Sequence, residues 1–139
     1  MIIVLDSNIL VASLGKKSPY RSIFDALIVE GFEIAASNEI LSEYAEVIEQ
    51  KTTSEISQNV LRLLMNLPNL KLVQTYYNWQ LIVADPDDDK FFDCAIAAQA
   101  DYIVSDDGHF KILKDIPFPK MKVIKGTEFL QLLESMDKP

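Results

Sequence analysis

The chain has 139 residues, of which 49% are hydrophobic and 24% are charged, and this predicts one globular domain over residues 1–139. No apolar stretch approaches the roughly 18 residues of a membrane span, so we expect no contact with a membrane. Cys94 is the only cysteine, which excludes an intrachain disulfide and a cysteine zinc site and makes the cytoplasm the expected compartment. The net charge of −8 opposes indiscriminate binding to nucleic acid.

Strands and helices are predicted to alternate along the chain. The first half contains a strand over residues 2–5, a helix from Ser18-Pro19 to Gly31, a strand over 32–36, a helix capped by Ser37, a helix over 53–67 and a strand over 70–73. The second half contains a helix from Asp85-Pro86 to about Ala100, strands over 102–105 and 122–124, and a terminal helix capped by Thr127. This order predicts an α/β fold, with a central parallel sheet of about five strands flanked by helices on both faces.

Two of the predicted strands end directly in acidic residues. Asp6 follows the first strand, and Asp106 and Asp107 follow the strand that ends at Ser105. Ligands of an open parallel sheet bind at the carboxyl ends of its strands, and right-handed crossovers place these ends at one edge. We therefore expect these carboxylates to be neighbours, although about 100 residues separate them.

Two predicted helices bring further carboxylates toward this edge. Glu43 lies early in the helix that follows the second strand. Asp89 and Asp93 are four residues apart and share a helix face with Ala97, whose small side chain would let that face approach the sheet closely. The neighbours of Asp93 are largely apolar, and a lone charge among them would be costly to bury.

Carboxylates gathered at one place repel one another unless they share protons or bind a cation. Two of them at 4 Å repel by on the order of 4 kcal/mol at an effective dielectric constant of 20. A site made of carboxylate oxygens, without cysteine or convergent histidines, favours Mg²⁺ or Mn²⁺ over zinc. The acids therefore indicate a divalent-metal site suited to the hydrolysis of a phosphodiester.

Four motifs, in this order, resemble those of the PIN-domain ribonucleases, a family that includes VapC-like toxins of prokaryotic toxin–antitoxin pairs. The resemblance covers the whole chain, and its motifs are Asp6-Ser7-Asn8-Ile9-Leu10, Ser42-Glu43-Tyr44, Asp93-Cys94-Ala95-Ile96-Ala97-Ala98 and Val104-Ser105-Asp106-Asp107.

The resemblance implies an endoribonuclease that depends on Mg²⁺ or Mn²⁺. Its catalytic acids, which also hold the metal, would be Asp6, Glu43, Asp93 and Asp107. Asn8 and Ser105 would orient these acids or a water molecule. The family also implies an RNA substrate, a homodimer and, for toxins, an antitoxin protein that blocks the site.

The helix that carries Asp93 leaves one assignment open. Its start is similar to a subgroup in which earlier acids are retained, so Asp88 and Asp89 are the alternatives to Asp93 as the third acid. His109 stands where many members carry another acid, and it is either a proton donor that faces the substrate or a residue that begins a helix.

Basic residues near the motifs are the candidates for binding RNA phosphates. We expect Lys16, Lys17 and Arg21 to do so together with His109, and Lys90, Lys111 and Lys114 flank the later motifs. Ordinary surface lysines are an equally good interpretation. Tyr76, Tyr77 and Trp79 could stack on bases, although a role in the core or in a dimer contact is favoured for them.

Several acids and the fold as a whole also admit other interpretations. Glu39, Glu46 and Glu49 fit a solvated helix face, and Asp85 and Asp87 fit charges at a helix start. Phosphotransfer on Asp6 is disfavoured because Asn8 stands where dehalogenase-type enzymes need a second Asp. The alternative function is a PIN-like protein-interaction module without catalysis.

Overall fold

The sheet is parallel throughout and has five strands. A computed structural model of the chain describes residues 1–75, 89–108, 110–111 and 119–137. Its strands are β1 (Ile2–Leu5), β2 (Glu33–Ala36), β3 (Leu70–Leu72), β4 (Tyr102–Val104) and β5 (Val123–Ile124). They lie in the order β3-β2-β1-β4-β5, with every neighbouring pair parallel. This confirms the predicted α/β fold with its central parallel sheet.

The helices of the described residues surround this sheet. They are α1 (Ser7–Leu14), α2 (Arg21–Ile28), α3 (Asn38–Lys51), α4 (Ser54–Asn66), α5 (Asp89–Ala98) and α6 (Gly126–Met136). The predicted start of α5 at Asp85-Pro86 lies outside the described residues. In the part of the chain that the structure describes, no helix combines the length and hydrophobicity needed to cross a membrane.

Two of the predicted helix starts are confirmed in atomic detail. The hydroxyl oxygen of Ser37 accepts a hydrogen bond from the backbone N–H of Ile40 at 3.2 Å, and Thr53 accepts one from Ile56 at 3.1 Å. Each side chain satisfies a backbone N–H that has no partner within the helix. The cap residues therefore fix where α3 and α4 begin.

The predicted cap at Thr127 is wrong. The helix α6 begins one residue earlier, at Gly126, after the cap residue Lys125. The backbone N–H of Lys125 donates to the Glu128 carboxylate at 3.0 Å, so an acid in the first turn holds this helix start.

The face predicted for α5 is also corrected in part. Ala97 is exposed, whereas Asp93 is buried. The buried side of α5 is centred on Phe91, Ala95 and Ala98, which lie on a different face of the helix from Ala97. Ala97 therefore does not bring α5 close to the sheet.

The sheet is central to the core, and β1 is its middle strand. Ile3, Val4 and Leu5 are all fully buried, as are Ile34 in β2 and Ile103 in β4. This burial follows from the position of β1 between two strands and beneath α5, which packs against β1, β2 and β4. A residue placed directly after Leu5 therefore emerges from the middle of the sheet.

Asn69 joins the end of α2 to the start of β2. Its buried amide nitrogen donates to the carbonyl oxygens of Leu27 at 2.9 Å and Phe32 at 2.8 Å. Both acceptors belong to residues that are themselves buried. The amide thereby satisfies two carbonyl groups where the chain turns between helix and strand.

We expect Asn69→Ala to lower the free energy of unfolding by about 1–3 kcal/mol, because the buried carbonyl of Phe32 loses its side-chain donor, while that of Leu27 keeps the N–H of Glu30. Urea denaturation measures the change. The matched control is Asn66→Ala, since exposed Asn66 donates only within its own helix, to Arg62 at 2.7 Å. Equal effects of the two substitutions would contradict the role assigned to Asn69.

Candidate active site

Asp6 lies at the carboxyl end of the central strand. Its backbone N–H donates to the carbonyl of Val104 at 3.0 Å, which extends the pairing of β1 with β4 by one residue. Its side chain is buried, with 5% exposed, and Oδ2 accepts a hydrogen bond from the Ser105 hydroxyl at 2.7 Å. The predicted proximity of the two strand ends is thus a direct contact between their side chains.

Ser105 also sets the position of Asp107. The Ser105 hydroxyl oxygen accepts from the backbone N–H of Asp107 at 3.0 Å while the hydroxyl donates to Asp6. Burial raises the pKa of Asp6, the Ser105 hydrogen bond lowers it, and the carboxylates of Asp107 and Glu43 raise it further. The charges of Glu43 and Asp107 therefore both act on Asp6, although the three acids come from separate parts of the chain.

Glu43 is held from two sides. The Ser7 hydroxyl donates to Glu43 Oε2, and Lys90 Nζ lies 2.7 Å from Oε1. Ser7 is the first residue of α1 and Lys90 is the second of α5, so these helices converge on α3 at this point. The side chains of Lys90 and Glu43 are only 19% and 22% exposed, which makes the ion pair partly desolvated.

Tyr44 supports the floor of this site. Its fully buried hydroxyl donates to the carbonyl of Leu5 at 2.5 Å, one residue before Asp6. Burial raises the pKa of Tyr44 well above its usual value, and Cys94, Asp6 and Glu43 add to this effect. The phenol consequently stays protonated and keeps α3 attached to the end of β1.

Asp106 has a structural role although it is exposed. Its Oδ2 accepts from the Tyr20 hydroxyl at 2.6 Å and its Oδ1 accepts from the backbone N–H of Gly126 at 2.9 Å. The Asp106 hydrogen bond is the main cause that raises the pKa of Tyr20 to about 12. A side chain at Gly126 would meet the Tyr20 ring at 2.6 Å, so glycine allows this close approach. Of the two adjacent acids, Asp107 is the one that acts on Asp6.

A cavity of about 270 Å³ opens beside these acids. It is lined by Asp6, Asn8, Ile9, Ala12, Tyr20, Asp106 and Asp107. Asn8 is exposed, and its amide oxygen accepts from Lys51 Nζ at 3.0 Å. Asn8 thus lies at the predicted place, while its role in orienting an acid or a water molecule stays a prediction.

The third acid of the motifs is on α5. Asp93 is buried, with 5% exposed, and lies three residues after Lys90 on the same helix. Asp89 is half-buried in the first turn of the same helix. Asp88 lies outside the described residues. The choice between Asp93 and its alternatives stays open.

The predicted phosphate-binding residues differ in their surroundings. Lys16 and Lys17 are exposed in the turn that follows α1. Arg21 bonds within the fold: its Nε lies 3.0 Å from Asp25, its Nη1 donates to the carbonyl of Leu14 at 2.6 Å, and its guanidinium lies 5.1 Å from the centre of the Phe24 ring.

The other predicted residues are only partly described. Those that lie outside the described residues are His109, Tyr76, Tyr77, Trp79, Asp85 and Asp87. Glu39, Glu46 and Glu49 are exposed, as predicted for a solvated face.

The donor atoms at this site suit a hard divalent cation. Asp6, Glu43 and Asp107 offer only carboxylate oxygens, the ligands that Mg²⁺ and Mn²⁺ prefer. Among the described residues, no group of three or more Asp, Glu, His and Cys side chains is arranged to hold a metal ion as it stands. Glu43 already contacts the Ser7 hydroxyl and the Lys90 ammonium, and these contacts direct its carboxylate toward protein donors. The residues therefore fit a metal in chemistry, and Glu43 would have to exchange a partner to bind it.

Sequence reasoning missed two parts of the site. The helix α1 begins directly after Asp6, and its apolar residues do not form a strong one-sided pattern. Lys90 was recognised only as a basic neighbour of a motif, because its contact with Glu43 depends on how α5 packs beside α3. The two residues lie on different helices, so no spacing within one helix indicates this ion pair.

The raised pKa of Asp6 predicts how stability depends on pH in metal-free protein. Ionisation of Asp6 in the folded chain lowers the free energy of unfolding. This loss is absent below the ordinary pKa of 3.8 and grows as pH rises through the higher pKa of the folded chain. We expect Asp6→Asn to raise the melting temperature at pH 7 and to have little effect at a pH of about 3, below the ordinary pKa. Thermal unfolding in EDTA at both pH values measures this.

Glu46→Gln is the control for that measurement, because it neutralises an exposed acid on the same helix as Glu43. Its melting temperature should follow that of the unmodified chain at both pH values. A lower melting temperature for Asp6→Asn at pH 7 would show that the Asp6 carboxylate stabilises the fold, contrary to its raised pKa.

Comparison with known proteins gives the family of this fold. The model of the PIN domain family matches residues 2–109. No curated protein sequence matches the chain. A chain in the crystal structure of VapBC2 from Rickettsia felis, bound to a DNA fragment from their promoter, is similar with a TM-score of 0.62 and 21% identity, over 90% of this chain and 98% of that one. The family match covers most of the chain and includes Asp6, Glu43, Asp93 and Asp107, and the chain therefore belongs to the PIN domain family.

Proposed function

We propose that this chain is a metal-dependent endoribonuclease. The observation that carries the proposal is that the Ser105 hydroxyl binds both the Asp6 carboxylate and the Asp107 backbone N–H at the carboxyl end of the sheet of a PIN domain. Asp6 and Asp107 line a cavity at the carboxyl ends of parallel strands, a position that suits the binding of a cation and a phosphate. The whole chain, residues 1–139, forms the proposed nuclease domain.

The metal-site acids in this proposal are Asp6, Glu43, Asp107 and Asp93, with Asp88 and Asp89 as the alternatives to the last. A bound Mg²⁺ or Mn²⁺ supplies charge that lowers the pKa of a water molecule and stabilises the phosphate and the leaving oxygen. The protein's part is to hold the acids in place. Ser105 fixes Asp6, and Ser7 fixes Glu43.

The substrate in this proposal is RNA whose backbone meets basic side chains beside the acids. Exposed Lys16 and Lys17 lie in the chain between Ala12 and Tyr20, which both line the cavity, so they can meet phosphates that flank the scissile bond. Arg21 is less available because it bonds to Asp25 and to the carbonyl of Leu14. His109 remains a proposed contact.

The proposal extends to a role as the toxin of a toxin–antitoxin pair in the cytoplasm. The similarity in fold to a chain of VapBC2 supports this role. It implies an antitoxin partner and a homodimer of this chain. Co-expression with the product of a small reading frame beside the gene tests the partner, and a stable complex that suppresses RNA cleavage is the expected result.

Asp107→Asn should reduce RNA cleavage by on the order of 100-fold in Mg²⁺ or Mn²⁺, since loss of a metal ligand costs at least as much as loss of a supporting contact. The measurement is the cleavage rate of a labelled RNA. Asp106→Asn is the matched control: it changes the adjacent acid, whose oxygens bond to Tyr20 and Gly126. It should lower thermal stability and retain most of the rate. Equal losses in the two variants would contradict the assignment of Asp107.

Thermal unfolding with Mn²⁺ separates catalysis from a role as an interaction module. A ligand at 100 times its Kd stabilises the folded chain by about 2.7 kcal/mol. Millimolar Mn²⁺ should therefore raise the melting temperature, and Asp6→Asn combined with Asp107→Asn should remove this rise. An unchanged melting temperature in the unmodified chain, together with no cleavage, would favour a protein-interaction module.

A further inference from the structure

Lys90 places a positive charge inside the candidate active site. Its Nζ lies 2.7 Å from Glu43 Oε1, and both side chains are mostly shielded from solvent, with 19% and 22% exposed. Lys90 Nζ also lies 5.9 Å from the centre of the Phe91 ring, and Phe91 is fully buried. A partly desolvated pair in this position is stronger than an ordinary surface salt bridge.

Glu43 has a protein donor on each of its carboxylate oxygens. Oε1 faces Lys90, and Oε2 accepts from the Ser7 hydroxyl. A divalent cation that binds Glu43 therefore meets an ammonium group already in contact with the same carboxylate. Two cations that contact the same carboxylate repel each other strongly where water is partly excluded.

The other carboxylates of the site have different neighbours. Asp6 accepts from the neutral hydroxyl of Ser105, and its charge is opposed by burial and by the charges of Asp107 and Glu43. The ammonium of Lys90 pairs with Glu43, which is one of the two carboxylates that raise the pKa of Asp6. Removal of the Lys90 charge therefore leaves the site more negative and more attractive to a cation.

We propose that Lys90 is a built-in counter-ion that competes with the divalent cation for Glu43 and so sets the metal affinity of the site. This inference rests on the proposed metal-dependent function. A merely structural ion pair predicts something different: its loss would lower stability and leave metal affinity unchanged.

The experiment measures Mn²⁺ binding to the purified chain by isothermal titration calorimetry. We expect Lys90→Gln to bind Mn²⁺ roughly tenfold more tightly, equivalent to about 1.4 kcal/mol. Lys90→Arg keeps the charge and should bind like the unmodified chain. The metal-free melting temperature of Lys90→Gln should fall, because the site loses its internal cation.

Lys122→Gln is the matched control. Exposed Lys122 also has its Nζ near an aromatic ring, 5.8 Å from the centre of Tyr102, so the substitution removes the same charge and a similar ring contact. Tyr102 begins β4, at the edge of the sheet opposite the carboxylates. Mn²⁺ affinity should therefore be unchanged in this variant.

A second measurement uses the unmodified chain and requires no substitution. In an NMR titration with Mg²⁺, the side-chain ¹³Cε signal of Lys90 should move as the ammonium leaves Glu43, while that of Lys122 stays in place. A Lys90 signal that does not move at saturating Mg²⁺ would overturn the inference.

The outcomes separate this inference from the proposed function. If the unmodified chain binds Mn²⁺ and Lys90→Gln binds it equally or more weakly, the counter-ion role is wrong and the metal-dependent function stands. If neither binds Mn²⁺, both fail. If only Lys90→Gln binds Mn²⁺, the competition is stronger than expected and the inference is supported.

Discussion

The hydrogen bond between Ser105 and Asp6 connects the fold to the site. It joins residues that follow two neighbouring central strands, and it helps to accommodate a carboxylate that is 5% exposed at the end of an apolar strand. The same Ser105 oxygen receives the N–H of Asp107, so one hydroxyl places two of the three coupled acids. Ser7, the next residue after Asp6, then holds Glu43. The positions of these acids therefore depend on the pairing of β1 with β4.

Neighbouring acids in this protein have different physical roles. Asp106 binds Tyr20 and the first residue of α6, and thereby contributes to the structure. Asp6 keeps a raised pKa because burial and like charges outweigh the hydrogen bonds that it accepts. Glu43 forms an ion pair with Lys90. A high local density of acids therefore does not make every acid a metal ligand, and their hydrogen bonds distinguish them.

Local sequence signals predicted the fold well where a feature depends on nearby residues. Ser37 and Thr53 begin helices as expected, and the strand that precedes Asp6 is buried as expected. Thr127 was misassigned because the helix begins after Lys125, whose backbone N–H donates to Glu128 in the first turn. The pair of Lys90 with Glu43 was beyond local signals, since 47 residues separate them and only the packing of α5 near α3 brings them together.

The pairing of β1 with β4 also determines when the site can form during synthesis. Leu5 pairs with Val104, and the Ser105 to Asp6 bond spans 99 residues. Closing a loop of this length costs entropy before any contact repays it, whereas α3 and α4 are adjacent in sequence and can pack early. The acids of this site therefore cannot come together before Ser105 and Asp107 have left the ribosome. Topology alone thus delays the assembly of the site behind the folding of its first helices.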